Sequence, residues 1–161
     1  MESAEERAFV TAIGIKIRIL IYYRTVSSVV NDVKTRRVFE LLAQGEANLL
    51  NSLFNSHQDS EDELAHILVK NNTYADPYLC TLLNSVDGIT TGEDALRIAL
   101  KEENGCLETY NIFMATTLEP HIRAIFTLIL NETKKHIAII LEECQRLMNR
   151  LDRMEPEYLC A

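Results

Sequence analysis

The chain contains an internal repeat. Residues 8–54 align without a gap with residues 95–141, so that aligned residue numbers differ by 87. Identical residues occupy seven of the 47 aligned positions, and further positions pair one apolar residue with another. The identities are Ala8 with Ala95, Ala12 with Ala99, Leu20 with Leu107, Tyr23 with Tyr110, Arg36 with Arg123, Phe39 with Phe126 and Leu41 with Leu128. This pattern favours two copies of one helical hairpin, although two unrelated amphipathic hairpins can also be aligned to a similar degree.

The spacing of apolar residues predicts four long helices. They are expected near residues 4–30, 33–57, 92–116 and 120–150. Thr91 is a suitable N-cap for the third helix, and Pro120 is a favoured first residue for the fourth. Towards its end the fourth helix carries a predicted exposed face of charged side chains, which are Glu142, Glu143, Arg146 and Arg150.

These helices predict an all-α fold, a four-helix bundle built from two hairpins that a long crossover joins. A single domain is expected over residues 1–161, with a hairpin at 4–57, a crossover at 58–91 and a second hairpin at 92–150. Two short helices are expected in the crossover, over Asp62–Val69 and Tyr78–Val86.

The first helix is locally ambiguous. Isoleucines alternate with other residues from Ile13 to Ile21, which by itself is typical of a β-strand. The repeat, however, aligns this segment with the well-capped third helix, and we therefore predict a helix. A helix that is apolar on several sides is usually buried or lies at a subunit interface, and a homodimer is expected for this reason.

Composition excludes several classes of function. The net charge of -8 disfavours binding to nucleic acid and to anionic membranes. An acidic N-terminus and the lack of a long apolar run predict a cytoplasmic protein without a membrane span. The cysteines lie at positions 80, 106, 144 and 160 and form no C-x-x-C pair. A metal site built from cysteines is therefore not expected, and the thiols are expected to be reduced.

Two helices of the repeat resemble those of a known family. The segment Glu103-Asn-Gly-Cys-Leu-Glu-Thr-Tyr110 is similar to the helix of the ferritin-like superfamily, and of its rubrerythrin branch, in which an iron-binding Glu precedes a Tyr by seven residues. The segments that end at Leu49 and His136 resemble the family's F-x-x-L-A-x-x-E-x-x-H helix. The resemblance covers residues 8–57 and 92–145.

The resemblance implies a ligand set for iron or another divalent metal. In such bundles each hairpin supplies one Glu from its first helix and a Glu-x-x-His from its second. Three positions of this sequence match that pattern, which are Glu46, Glu103 and His136. Three depart from it, which are Lys16, Leu49 and Thr133. Tyr23 and Tyr110 lie beside the ligand positions and are expected to be packed aromatics with bonded hydroxyl groups.

Two interpretations of this incomplete set remain open. Either Glu46, Glu103 and His136 bind a single divalent ion, or Lys16 replaces the metal's charge and neutralises one of the two carboxylates. Both interpretations place these side chains inside the bundle; the alternative to both is that Glu46 is solvated and His136 lies at the bundle surface. For intact members of that family, the resemblance implies peroxide reduction at two irons or iron handling. The expected function here is a degenerate form with weak or absent activity. The alternative is a non-enzymatic bundle that dimerises or binds partners.

Overall fold

The computed structural model describes residues 3–56, 77–86 and 91–159. Within those ranges the chain forms helices and no strands. The helices are α1 (Ala4–Val29), α2 (Val33–Ser56), α3 (Pro77–Asn84), α4 (Gly92–Thr116) and α5 (Pro120–Leu159). The predicted all-α fold with four long helices is confirmed, and α3 is the second of the two expected short helices. The helix predicted over Asp62–Val69 lies outside the described residues.

Local signals explain where the helices begin. Ser3 caps α1 in a capping box, in which its hydroxyl accepts a hydrogen bond from the Glu6 amide while the Glu6 carboxylate accepts one from the Ser3 amide. This cap favours helix over the strand that the alternating isoleucines indicate locally. Thr91 caps α4 as predicted, since its hydroxyl accepts from the Asp94 amide at 3.1 Å. Pro120 is the first residue of α5, also as predicted.

The last helix is longer than predicted. It continues to Leu159 instead of ending near residue 150, because Leu, Arg, Met and Glu are good helix formers and predominate directly after that point. No helix in the described part of the chain is both long and apolar enough to cross a membrane.

The four long helices form two antiparallel hairpins that pack side by side. α1 pairs with α2 and α4 with α5, while α1 also lies against α4 and α2 against α5. The end of α1 meets the start of α4, where the Tyr22 hydroxyl donates to the Ala95 carbonyl at 2.9 Å. At the opposite end, the Thr117 hydroxyl that follows α4 donates to the Glu5 carboxylate in α1 at 3.1 Å. α1 and α4 are therefore antiparallel.

The two hairpin turns are built alike, as the repeat predicts. Each preceding helix ends at a residue of extended backbone, Val30 in one hairpin and Thr117 in the other, whose amide donates to the carbonyl four residues earlier at 3.0 Å. In the first turn the Arg36 guanidinium donates to the Val30 carbonyl. In the second, the aligned Arg123 donates to the aligned Thr117 carbonyl. The alignment by 87 residues thus corresponds to equivalent local structure.

Aligned residues also share their burial. Leu41 and Leu128 are both exposed, whereas most aligned apolar pairs lie in the core. The buried pairs include Ala12 with Ala99, Tyr23 with Tyr110, Phe39 with Phe126, Leu42 with Ile129 and Leu53 with Ile140. The two halves therefore contribute matching surfaces to one shared core, and the polar positions of the repeat meet inside it.

Candidate metal centre

Four ionisable side chains meet in the middle of the bundle, one from each long helix. They are Lys16 of α1, Glu46 of α2, Glu103 of α4 and His136 of α5. None of them is more than 2% exposed. Buried charges are costly unless they are paired and hydrogen-bonded. The four must therefore be considered as one network, which we call the charge cluster.

Lys16 binds both carboxylates. Its Nζ lies 2.9 Å from Oε1 of Glu46 and 3.2 Å from Oε2 of Glu103. Burial lowers the pKa of the ammonium, but the attraction of Glu46 and then Glu103 outweighs it, so the pKa of Lys16 is raised well above its ordinary value. The Lys16 side chain is therefore charged, and the ion pair inferred from the sequence is present.

His136 also bridges the two carboxylates. Its Nδ1 lies 3.1 Å from Oε1 of Glu46 and 3.1 Å from Oε1 of Glu103. Burial lowers the pKa of the imidazole, but its hydrogen bonds to Glu103 and Glu46 raise that pKa to about 9. At neutral pH the ring is protonated, and Nδ1–H donates to the carboxylates.

Glu103 is the most heavily bonded member. Besides Lys16 and His136, it accepts a hydrogen bond from the Tyr23 hydroxyl at 2.6 Å. Burial raises the pKa of Glu103, but Lys16 and then His136 outweigh this effect and lower the pKa to about 2. Both cations are therefore matched by carboxylates, and the charge cluster has no net charge.

Tyr23 and Tyr110 have different partners although the repeat aligns them. Tyr23 bonds to Glu103, whereas the Tyr110 hydroxyl lies 3.4 Å from the Ala12 carbonyl oxygen. The Tyr110 ring instead faces the Lys16 ammonium, 5.9 Å from the ring centroid. Burial raises the pKa of both phenols, so both remain neutral donors. They are packed aromatics with bonded hydroxyls, as expected.

Two of the positions that depart from the family pattern are also buried. Leu49 is an apolar side chain and offers no ligand atom. Thr133 is fully buried, and its Oγ1 has no hydrogen-bond partner among the described residues. The second carboxylate oxygen of Glu46, Oε2, is likewise unpaired within the described chain. These are two buried oxygens whose hydrogen-bonding capacity is unused.

The three remaining donor side chains can be compared with the ligand set that a metal ion needs. Glu46, Glu103 and His136 form a buried group whose ligand atoms lie within 4.8 Å of one another, so they could hold a metal ion. A two-metal centre of the ferritin-like arrangement takes four carboxylates and two imidazoles, and this chain lacks half of that set. Lys16 is also bonded to both carboxylates and would repel a divalent ion. The residues do not fit a two-metal centre, and they fit one ion only without the Lys16 charge.

Gly45 is a part of this site that the sequence analysis missed. A Cβ added there would lie 2.5 Å from Nε2 of His136. Glycine in a helix interior is destabilising relative to alanine by roughly 0.5 to 1 kcal/mol. A glycine in the middle of α2 is therefore a sequence signal for a close contact at this position. The contact is the His136 imidazole, which packs against α2.

A second polar cluster joins α2 to α5 near the first turn. The buried Thr35 hydroxyl donates to the Glu143 carboxylate at 2.9 Å, and Arg146 donates to the same carboxylate and to Asp32. Arg150 adds a bond to Asp32 at 2.8 Å. The prediction that Glu143 belongs to an exposed face is wrong, since it is 6% exposed. It is buried because α5 continues alongside the start of α2.

Comparison of the chain with protein-family models, with curated proteins and with solved structures gives no match. The structure shows an all-helical bundle with a buried Glu–Glu–His group, and the resemblance to the ferritin-like superfamily is a resemblance of motifs alone.

Removal of the Lys16 charge is expected to destabilise the fold. Lys16→Met leaves two buried carboxylates with one cation, and breaking a buried pair in this way costs about 3 to 5 kcal/mol. The double variant Lys16→Met/Glu103→Gln restores the charge balance and should recover most of the loss. Urea unfolding of the parent, both single variants and the double variant measures this coupling. A Lys16→Met variant as stable as the parent would rule the ion pair out.

Gly45→Ala is expected to destabilise the protein although alanine is the better helix former. His136 cannot swing away from the added methyl group, because Nδ1 is held by two carboxylates, and overpacking of this kind costs about 1 to 3 kcal/mol. Gly105→Ala in α4 is the matched control, since nothing lies within 4 Å of its Cβ position. That substitution should stabilise the fold by up to about 1 kcal/mol. Thermal unfolding of the two variants measures this difference. Equal changes in the unfolding midpoint would contradict the close contact between Gly45 and His136.

Stability should decline in mildly alkaline solution. The pKa of His136 is raised from 6.5 to about 9 on folding, so its contribution is complete below pH 6.5 and is lost as the pH rises towards 9. The slope contributed by one such group is at most about 1.4 kcal/mol per pH unit. Urea unfolding at several pH values measures it. His136→Leu, which copies the aligned Leu49, should lack the slope, and an unchanged slope in that variant would exclude His136 as its source.

Proposed function

We propose that this chain is a ferritin-like protein of the rubrerythrin type whose metal centre is degenerate, so that the diiron peroxidase or iron-handling activity of intact relatives is weak or absent. The observation that carries the proposal is the Lys16 ammonium bound between Glu46 and Glu103 at 2.9 and 3.2 Å. A cation supplied by the protein performs the charge balance that metal ions provide in a carboxylate site.

The rest of the cluster supports the same conclusion. His136 directs Nδ1 at the two carboxylates, 3.1 Å from each. With its pKa raised to about 9, this nitrogen carries a proton at neutral pH and has no lone pair for a metal. Leu49 and Thr133 stand where the pattern of the family has a second imidazole and a further carboxylate. Loading of two irons would require displacement of Lys16, deprotonation of His136 and further ligands at positions 49 and 133, where these helices have Leu and Thr.

Metal analysis tests the proposal directly. Protein purified without chelator should contain much less than one iron, zinc or manganese per chain by plasma mass spectrometry. Addition of Fe²⁺ without oxygen, followed by peroxide, should give no more peroxide consumption than an equal amount of His136→Leu protein. Two irons per chain, or Fe²⁺-dependent peroxide reduction that His136→Leu abolishes, would overturn the degenerate-site proposal.

A second candidate function is non-enzymatic association, either as a homodimer or with another protein. Apolar side chains are exposed on the second half of α5, where Leu141 is 50%, Met148 56% and Leu151 52% exposed. Their spacing of seven and three residues is that of a seam along which one helix packs on another. The isoleucines of α1 are a weaker basis for a dimer, since Ile13 and Ile19 are buried inside this chain.

Light scattering after size-exclusion chromatography tests the homodimer. The parent should elute with twice the mass of 18.4 kDa, and the variant Leu141→Ser/Met148→Ser should elute as a monomer. The matched control is Leu41→Ser/Leu128→Ser, which removes exposed leucines from elsewhere on α2 and α5 and should leave the dimer intact. A monomeric parent over the micromolar range would exclude the homodimer.

A further inference from the structure

We infer that Lys16 determines the cation specificity of the charge cluster: its ammonium takes the place of a metal ion, and its removal opens the cluster to one divalent ion. This inference rests on the proposed function, because it assumes that the parent protein excludes metal. It goes further by assigning the exclusion to one side chain and by stating that the other donors still form a site.

The remaining donors are held in place by contacts that do not involve Lys16. Tyr23 fixes Oε1 of Glu103 at 2.6 Å, and His136 spans from Glu103 to Glu46. The position of the imidazole is set in turn by Gly45, whose missing side chain leaves the space that Nε2 occupies. The three donors come from α2, α4 and α5, whereas Lys16 belongs to α1. Its truncation therefore leaves the supports of the donor set intact.

Two buried oxygens are available in addition to the atoms that Lys16 releases. Oε2 of Glu46 and Oγ1 of Thr133 are both buried without a hydrogen-bond partner among the described residues. Oε2 allows Glu46 to bind a cation through both of its oxygens. Thr133 lies three residues before His136 in α5, on the same face of that helix. Among the described residues, Oε2 and Oγ1 are the two buried side-chain oxygens without a partner, and a bound ion is one way in which such a group is satisfied.

The charges also balance when one divalent ion takes the place of Lys16. In the parent, the Lys16 ammonium lies between two carboxylates, 2.9 Å from Glu46 and 3.2 Å from Glu103. In a Lys16→Ala variant, a divalent ion held by Glu46, Glu103 and His136 would bring a double charge that matches the two carboxylates. In the parent, the same ion would add its charge beside the Lys16 ammonium, which repels it.

The test is titration of the parent and of Lys16→Ala with Co²⁺, which gives visible absorption bands when nitrogen and oxygen ligands bind it. Lys16→Ala is expected to bind one Co²⁺ per chain, and the parent none. At a Co²⁺ concentration 100-fold above the dissociation constant, the midpoint of thermal unfolding of the variant should rise by about 5 to 10 °C. The midpoint of the parent should not change.

Lys16→Ala/His136→Leu is the matched control and should lose both the absorption bands and the thermal shift. If Lys16→Ala is unfolded without metal, Lys16→Glu is titrated in the same way, since it restores a carboxylate from α1 and should recover its helical circular dichroism only with Co²⁺. Variants that stay unfolded or unbound in saturating Co²⁺ would overturn the inference, as would a double variant that binds as well as Lys16→Ala.

Different Co²⁺-binding results would contradict the role of Lys16 and the degenerate metal site. Stoichiometric binding of Co²⁺ by the parent would contradict both the exclusion by Lys16 and the degenerate site. A parent and a folded Lys16→Ala variant that both remain free of Co²⁺ would sink the inference alone. In that case the cluster would be a purely structural ion-pair network whose donors cannot adopt a metal's geometry.

Discussion

The ammonium group of Lys16 lies in the core without access to water, and its charge must be balanced by side chains that other helices supply. α2 and α4 provide the two carboxylates, and α5 adds the imidazole that joins them. A shift of any one helix along its neighbours would leave at least one charge buried and unpaired, which costs several kcal/mol. Compared with well-packed apolar residues, such a cluster contributes little net stability, but it selects one alignment of the four helices.

The rest of the bundle is arranged around this constraint. Aromatic rings from both halves surround the cluster, with Tyr23 in edge contact with both Phe39 and His136. The two turns hold each hairpin with the same arginine-to-carbonyl bonds. The second polar cluster, with Thr35 bonded to Glu143, fixes α5 to the beginning of α2. Polar contacts at the centre and at one end therefore set the helix positions, and apolar packing fills the space between them.

Many features of the fold could be predicted from the sequence, because they depend on neighbouring residues or because the internal repeat indicates them. The N-cap Thr91 and the first helical residue Pro120 are local signals, and the repeat decided in favour of helix for α1. It also placed Lys16 and Glu103 at equivalent positions, and the resemblance to a carboxylate metal site then made an ion pair of Lys16 with one of two carboxylates one of the open interpretations. What could not be predicted depends on distances between helices. The protonation of His136 results from two carboxylates on other helices, and the need for glycine at position 45 results from the approach of α5.

The same limit explains the incorrect prediction for Glu143. A charged residue late in an amphipathic helix is usually solvated, and its burial follows from the length of α5 and from Thr35, which is 108 residues away in the chain. The different partners of Tyr23 and Tyr110 are a further case. Alignment by the repeat treats the two as equivalent, but each hydroxyl bonds to what lies opposite, and the two halves no longer present the same groups.

The pairing of Lys16 with Glu103 has a consequence for how such a cluster can arise. The two residues occupy the same position in the two copies of the hairpin, and they contact each other directly. In a symmetric assembly of two identical hairpins, that position would hold two lysines or two glutamates, and like charges in contact need a counterion from outside. When both copies belong to one polypeptide, the two positions can mutate independently and acquire opposite signs. A single chain with two hairpins can therefore break the symmetry at its centre and balance the buried charge without a bound ion.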